Sequence, residues 1–214
     1  MKYRSLNALL IGALLLVWQG ITAQAQSEAG LTAADILSPS ADSWPTYSGD
    51  YSGRRYSRLD QINQDNVKNL TLAWATRVTA GPNDSGHPLL EGGPGDGELF
   101  ASLPARIRGS ILLVDGVLYM SAPDNAWAVD ARDGTVLWHY WWKTLGGTHI
   151  GNRGMGMWGN YLFFETPDNY LVSLDAKTGE ERWNTEIASL EEQYFSTPAP
   201  IVVGDHVIVG TGND

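Results

Sequence analysis

Side chains able to carry out chemistry are sparse in this chain and form no motif of a known metal or nucleophile site. There is no cysteine, which excludes a disulfide framework, a Cys-ligated zinc or iron–sulfur site and covalent c-type haem within this stretch. None of the four histidines belongs to an HExxH pattern or a tightly spaced pair: His87, His139, His149 and His206. The sequence therefore does not favour a histidine-ligated metal.

The densest run of aromatic residues is Trp138-His139-Tyr140-Trp141-Trp142. Two interpretations are open: a platform that stacks on a ligand, or a packing tryptophan followed by core residues. Packing is favoured, because a tryptophan recurs at the equivalent place of a second repeat and offers a large area with one N–H to satisfy.

Composition limits the class of protein. The chain has 214 residues, with 14 Lys+Arg against 24 Asp+Glu, for a formal net charge of −10. Nine Trp, nine Tyr and four Phe beside 18% charged residues indicate a folded chain rather than a disordered one. The acidic balance argues against a general nucleic-acid binder, which needs a basic surface to neutralise phosphates.

The first 25 residues have the pattern of a secretion signal. Lys2 and Arg4 precede an apolar run at 8–18, and Ala23-Gln24-Ala25 provides the small residues of a cleavage site. The apolar run is too short to span a bilayer as a helix. The sequence predicts a signal peptide at 1–25 and a bacterial periplasmic or secreted protein with no stable membrane anchor after its removal. The alternative is an N-terminal anchor or a buried helix. Residues 26–40 are expected to form a linker.

A repeat of about 45 residues organises the second half of the chain. Asp130 and Asp175 lie 45 residues apart, as do Trp138 and Trp183. Two-residue turn sequences separate short β-branched and aromatic runs, as in hairpins: Asp115-Gly116, Asp133-Gly134, Gly159-Asn160, Thr178-Gly179 and Gly204-Asp205. Each repeat is therefore expected to be a four-stranded antiparallel blade of an all-β, β-propeller fold. Trp138 and Trp183 are expected to pack between neighbouring blades.

Residues 41–214 are thus predicted to form an incomplete propeller with two full blades and the start of a third. An apolar strand is expected at Leu70–Trp74. Residues 78–107 are rich in Gly and Pro and lack a period, so they are expected to be a long surface loop or lid.

Several segments resemble the pyrroloquinoline quinone (PQQ)-dependent alcohol dehydrogenases, eight-bladed propellers of the methanol and ethanol dehydrogenase type. They are Trp44-Pro45-Thr46-Tyr47-Ser48-Gly49-Asp50, Arg55-Tyr56-Ser57, Asn66-Val67, Asn152-Arg153-Gly154 and Thr197-Pro198-Ala199-Pro200. The resemblance implies PQQ with a Ca²⁺ or lanthanide ion, and an aspartate that takes the alcohol proton.

Two residues match the family's cofactor contacts. Arg153 corresponds to an arginine that hydrogen-bonds PQQ, and Thr197 to a threonine that bonds a PQQ carboxylate. The alternatives are that Arg153 forms a salt bridge with Glu165 or Asp168, and that Thr197 is an ordinary hydroxyl at a strand edge.

The chain also departs from the family pattern. Gly147 and Thr148 stand where the family has two adjacent cysteines that form a disulfide over the cofactor. Arg108 replaces a glutamate that contacts PQQ. The metal-binding glutamate is expected one residue after Asp214, and the further metal-binding asparagine, the catalytic aspartate and a stacking tryptophan are expected further on. No catalytic or metal-binding residue is therefore assigned within the chain.

Two functions follow from this comparison. The first is the N-terminal part of a periplasmic quinoprotein that oxidises alcohols and passes electrons to a cytochrome or quinone, the 214 residues by themselves being inactive. The second is a PQQ-free propeller that serves as a binding or scaffold module. The opening segment, Arg153 and Thr197 favour the first; Gly147-Thr148 and Arg108 favour the second.

Overall fold

The computed structural model describes residues 30–82, 86–97, 105–147 and 151–213. The chain divides into two units, Met1–Gly30 and Leu31–Asp214. Of the first unit, the structure describes Gly30. The predicted signal peptide lies outside the described residues. Within the described ranges, no helix is long and apolar enough to cross a membrane.

The second unit consists mainly of short strands. In chain order they are β1 (Leu89–Gly92), β2 (Leu112–Val114), β3 (Val117–Ala122), β4 (Asn125–Asp130), β5 (Val136–Trp142), β6 (Gly156–Trp158), β7 (Tyr161–Glu165), β8 (Tyr170–Asp175), β9 (Glu181–Glu186), β10 (Tyr194–Phe195), β11 (Ile201–Val203), β12 (His206–Ile208) and β13 (Gly212–Asn213). A helix, α1 (Ala33–Leu37), and a 3-10 turn at Val67–Asn69 complete the described elements.

The two predicted blades are confirmed as antiparallel sheets. Strands β2 to β5 pair in sequence order, and so do β6 to β9. Asp115 and Gly116 both have positive φ, 51° and 75°, as a tight hairpin between β2 and β3 requires. Both blades carry a register shift in the third strand, at Ala128/Val129 and at Ser173/Leu174. The two blades therefore share a backbone irregularity as well as a sequence repeat.

The third blade begins as predicted. Strands β11 and β12 form a hairpin around Gly204, whose φ is 60°. A short pair, β10 with β13, flanks it.

Trp138 packs between the two full blades, as predicted. Its side chain is 2% exposed, and its indole Nε1 donates to the Ala176 carbonyl at 3.1 Å. The ring lies against Gly179, where a Cβ atom would come within 2.6 Å of it. The rest of the Trp138–Trp142 run is also buried, which confirms packing as its role. The prediction for Trp183 is wrong: its side chain is 40% exposed, and its ring contacts Phe163 of the same blade, with centroids 5.9 Å apart.

The strand predicted at Leu70–Trp74 is not formed among the described residues. Residues 70–78 have no strand assignment and no partner strand within the described ranges, and Leu72 is 82% exposed. An apolar run becomes a strand only when a neighbouring strand takes up its backbone hydrogen bonds.

Two elements lie where none was expected. Strand β1, inside the predicted loop 78–107, pairs in parallel with β5 from Leu89↔His139 to Gly92↔Trp142. The repeat pattern could not indicate this strand, because it is a single short strand added to the edge of one blade. Helix α1 lies inside the predicted linker and begins with a capping box between Thr32 and Asp35.

Candidate cofactor site at the starts of three blades

The segments that lead into the first strands of the three blades lie side by side. Ser110, before β2, donates its backbone N–H to the Arg153 carbonyl at 3.0 Å. Arg153, before β6, donates its own N–H to the Thr197 carbonyl at 2.9 Å. The two residues that sequence similarity identified as cofactor contacts, Arg153 and Thr197, are therefore direct neighbours.

Glycines permit this close approach. A Cβ atom on Gly109 would lie 2.5 Å from the Arg153 carbonyl carbon, and one on Gly154 would lie 2.8 Å from the Ser110 carbonyl oxygen. Gly154 also has φ +127°, a conformation that side-chain-bearing residues rarely adopt. The absence of a side chain at Gly154 thus allows the backbones of the first and second blades to come into contact.

Asn152 anchors the same segment from inside. It is 1% exposed, and its side-chain oxygen accepts from the Ser121 hydroxyl at 2.6 Å and from the Gly154 N–H at 2.9 Å. Its amide nitrogen donates to the Glu165 carbonyl at 2.9 Å. These bonds tie the segment before β6 to strands β3 and β7.

The Arg153 side chain is exposed and forms no ion pair with any described residue. The alternative salt bridges to Glu165 and Asp168 are not observed. Asp168 instead accepts from the Trp142 indole at 2.9 Å and from the Leu145 N–H at 2.9 Å. Among the described residues, the Arg153 guanidinium therefore has no ionic partner that would compete with a ligand.

A second arginine lies near the first. The Arg108 Cδ atom would be 3.8 Å from a Cβ atom on Gly151, and Gly151 precedes Arg153 by two residues. Arg108 is also exposed. Two guanidinium groups on adjoining segments favour the binding of an anion, and each suits the planar fork of a carboxylate.

Glu165, at the end of β7, lies behind this site and was not assigned a function from the sequence. Its side chain is 0% exposed, and Oε1 accepts the Gly210 N–H at 3.3 Å. Burial raises the pKa of the Glu165 carboxyl to about 7, opposed by hydrogen bonds from Gly210 and Ser196. The sequence feature that could have pointed to Glu165 is an acidic residue directly after the apolar run Leu162-Phe163-Phe164, where a core residue is more typical.

Gly147 cannot carry a side chain in its present conformation. Its φ is +92°, and a Cβ atom would overlap the Pro167 carbonyl oxygen. The position of the first family cysteine is therefore closed to cysteine unless the loop moves. Thr148 lies outside the described residues.

The histidines provide no metal site in the part of the chain that is described. His139 is buried, stacks on Trp127 with ring centroids 4.9 Å apart, and lies 2.8 Å from the Asn125 side-chain oxygen through Nε2. Burial, and the proximity of His87, lower the pKa of His139 to about 3, so the ring is neutral. His206 is exposed, and His149 lies outside the described residues. No group of three or more His, Cys, Asp or Glu residues is close enough to hold an ion among the described residues.

The side chains at the blade starts fit a planar polyanion such as PQQ. Arg153 and Arg108 supply positive charge, and the half-buried Thr197 supplies a hydroxyl. They do not by themselves make up the ligand set of a Ca²⁺ or lanthanide ion, which prefers several carboxylate and carbonyl oxygens.

Comparison with known proteins agrees with the β-propeller fold. Residues 44–213 match the glucose/ethanol/alcohol dehydrogenase β-propeller domain of the PQQ family. The chain therefore belongs to the PQQ-dependent dehydrogenase family of β-propellers.

Individual relatives are similar along most of the chain. The dehydrogenase subunit of alcohol dehydrogenase (quinone) from Gluconacetobacter polyoxogenes is 32% identical over 224 residues, which is 98% of this chain and 27% of that protein. A quinohemoprotein alcohol dehydrogenase from Pseudomonas putida superimposes with a TM-score of 0.64 at 27% identity, covering 86% of this chain and 25% of its own. A europium-containing methanol dehydrogenase has a TM-score of 0.61 at 27% identity, covering 83% and 28%. The chain spans about a quarter of the length of these proteins.

Proposed function

We propose that the chain is the N-terminal part of a periplasmic quinoprotein that oxidises alcohols with PQQ and a bound Ca²⁺ or lanthanide ion. The observation that carries this proposal is the junction of the Arg108, Arg153 and Thr197 segments at the starts of three blades. The names of the relatives support the cofactor and the substrate class, and the europium-containing relative supports a lanthanide as one of the two possible ions.

Each residue of the site has a distinct task in this proposal. Arg153 binds a carboxylate of the cofactor through charge-assisted hydrogen bonds, and Arg108 contributes a second cation in place of the family glutamate. Thr197 donates its hydroxyl to a further carboxylate. Bound PQQ supplies an ortho-quinone that accepts the hydride equivalent of an alcohol. Asn152 and the backbone bonds between blades hold these groups in place before the cofactor arrives.

We assign binding groups among the described residues, but neither the base for the alcohol proton nor the ligands of the ion. Those residues are expected after Asp214, by similarity to the family. We therefore expect the 214 residues alone to bind cofactor weakly and to be inactive in alcohol oxidation.

A cytochrome or a quinone is the proposed electron acceptor. The quinohemoprotein and quinone-linked relatives support these two classes. The periplasmic location rests on the signal-like first 25 residues.

Reconstitution tests the enzyme function directly. The full-length protein is incubated with PQQ and either Ca²⁺ or Eu³⁺, freed of unbound cofactor, and assayed for dye reduction with primary alcohols. We expect quinone absorption in the protein fraction and alcohol-dependent dye reduction with at least one ion. Absence of retained PQQ with both ions would contradict the proposal.

A PQQ-free binding or scaffold module is the second candidate. The packing of Gly147 against the Pro167 carbonyl favours it, because that packing excludes the first cysteine of the family's disulfide roof. This candidate predicts a folded protein that retains no PQQ in the same experiment.

A further inference from the structure

A network of buried polar side chains connects the three blades directly behind the proposed cofactor site. Ser121 bonds to Asn152, Asn152 bonds to the Glu165 carbonyl, and the Glu165 carboxylate accepts from Gly210 of the third blade. Ser196 bonds to the Asn169 side chain at 3.0 Å. Asn152 immediately precedes Arg153, and Ser196 immediately precedes Thr197, so the network supports both proposed cofactor contacts.

Glu165 is the incompletely bonded member of this network. Its Oε2 atom is buried and has no hydrogen-bond partner among the described residues. The other carboxylate of the same turn, Asp168, is fully engaged by Trp142, Leu145 and the Thr166 hydroxyl. The Gly210 N–H and the Ser196 hydroxyl contact this carboxylate, and two such hydrogen bonds only partly compensate a buried negative charge.

Among the residues that the structure describes, no ion pair offsets a negative charge at Glu165. The charged residues on adjoining elements are Asp168, on its own turn, and the exposed Arg153 and Arg108, and none of the three contributes to the shift in the pKa of Glu165. Ser196 and Gly210 contact it from the third blade, and the segments around them, 196–200 and 209–213, contain no charged side chain. The neutral carboxyl is the form that this environment accommodates.

We propose that Glu165 is a positioning residue of the cofactor site that stays protonated when the site is filled, so that binding of the anionic cofactor takes up a proton there. This inference rests on the proposed function. A negative charge behind the Arg153–Thr197 pair would oppose a tricarboxylate in front of it. The protonated side chain removes that repulsion while Oε1 still accepts from Gly210.

The direction of the pH effect follows from linkage. Burial already raises the pKa of Glu165 to about 7 in the cofactor-free protein, and an adjacent anion raises it further. PQQ affinity should therefore be constant below about pH 7 and fall by up to about tenfold per pH unit above it, until the pKa of the complex is reached.

The test measures proton uptake during PQQ binding to the full-length protein by calorimetry in two buffers of different ionisation enthalpy. At pH 7 the wild-type protein should take up roughly half a proton per PQQ, and its affinity should fall between pH 7 and 8. Glu165→Gln keeps the shape and the acceptor for Gly210, so it should bind PQQ with no uptake and no pH dependence. Glu186→Gln, at an exposed position of the same blade, is the matched control and should behave as wild type.

PQQ binding without proton uptake in the wild-type protein would overturn the role of Glu165 and leave the proposed function standing. Proton uptake that persists in Glu165→Gln would also overturn it. A protein that binds no PQQ would overturn both proposals. If Glu165→Gln does not fold, the uptake and pH dependence of the wild-type protein decide the question.

Discussion

Arg153 and Thr197 owe their proximity to the backbone rather than to their side chains. The hydrogen bonds from Ser110 to Arg153 and from Arg153 to Thr197 place the starts of three blades in register. Asn152 satisfies buried polar groups behind them, and the exposed Arg153 side chain forms no ion pair with a described residue. At this scale the site is a set of cations presented by a rigid backbone, which suits an anion of fixed shape.

Replacing Arg153 by alanine should weaken PQQ binding by about 100-fold, since hydrogen bonds to charged groups contribute about 1.5–3 kcal/mol each. The free energy of unfolding should not change, because the side chain is exposed and makes no ion pair with described residues. Equilibrium PQQ titration and denaturant unfolding check the two expectations.

Arg132→Ala is the control for that experiment. The Arg132 side chain is 84% exposed and pairs with Asp130 in the turn after β4. The Arg132→Ala substitution should leave the PQQ affinity as in the wild-type protein. Equal losses in the two variants would show that net charge, rather than the Arg153 contact, governs binding.

At the scale of elements, the strands that could be predicted from the sequence were those that belong to the 45-residue repeat. The two full blades were predictable because turn glycines and a closing tryptophan recur at a fixed spacing. Strand β1 could not be found this way, since the one partner that the described residues give it is the edge of β5. The apolar run at Leu70–Trp74 misled for the opposite reason: its pattern suits a strand, but the described chain supplies no neighbour.

The candidate site could be predicted from the sequence in part. Arg153 and Thr197 stand beside distinctive short motifs, which similarity to a family can identify. Their contact depends on how blades pack, and the orphaned oxygen of Glu165 depends on burial. Neither property is encoded in local spacing.

The two repeated tryptophans should differ in their contribution to stability. Trp138→Ala in the 214-residue chain should cost about 3–5 kcal/mol of unfolding free energy, as truncation of a buried aromatic does. Trp183→Ala should cost about 1 kcal/mol, because a large part of that side chain is exposed. Urea unfolding of both variants measures the difference, and equal losses would contradict the packing described for the second and third blades.

At the scale of the whole molecule, the segment 70–78 has the position of an outer strand of a further blade. Trp74 donates its indole N–H to the Ala131 carbonyl at 3.1 Å and lies against Gly134. Trp138 makes the same two contacts with Ala176 and Gly179. Since the chain spans about a quarter of the length of its relatives, we expect another part of the full-length protein to pair with this segment.

Hydrogen exchange can test that pairing. Backbone amides of residues 70–78 should exchange rapidly in the 214-residue chain and slowly in the full-length protein, because strand pairing protects them. The amides of β8, paired on both sides already, serve as the internal reference. Rapid exchange of 70–78 in both forms would show that the segment remains unpaired.

The central claim is that the starts of the three blades bind PQQ, and the amount of PQQ retained by the reconstituted full-length protein tests it most directly. The account predicts close to one equivalent of PQQ per protein in the presence of Ca²⁺ or Eu³⁺, and a large loss in Arg153→Ala. A folded wild-type protein that retains no PQQ with either ion, or an Arg153→Ala variant that retains as much as wild type, would contradict it.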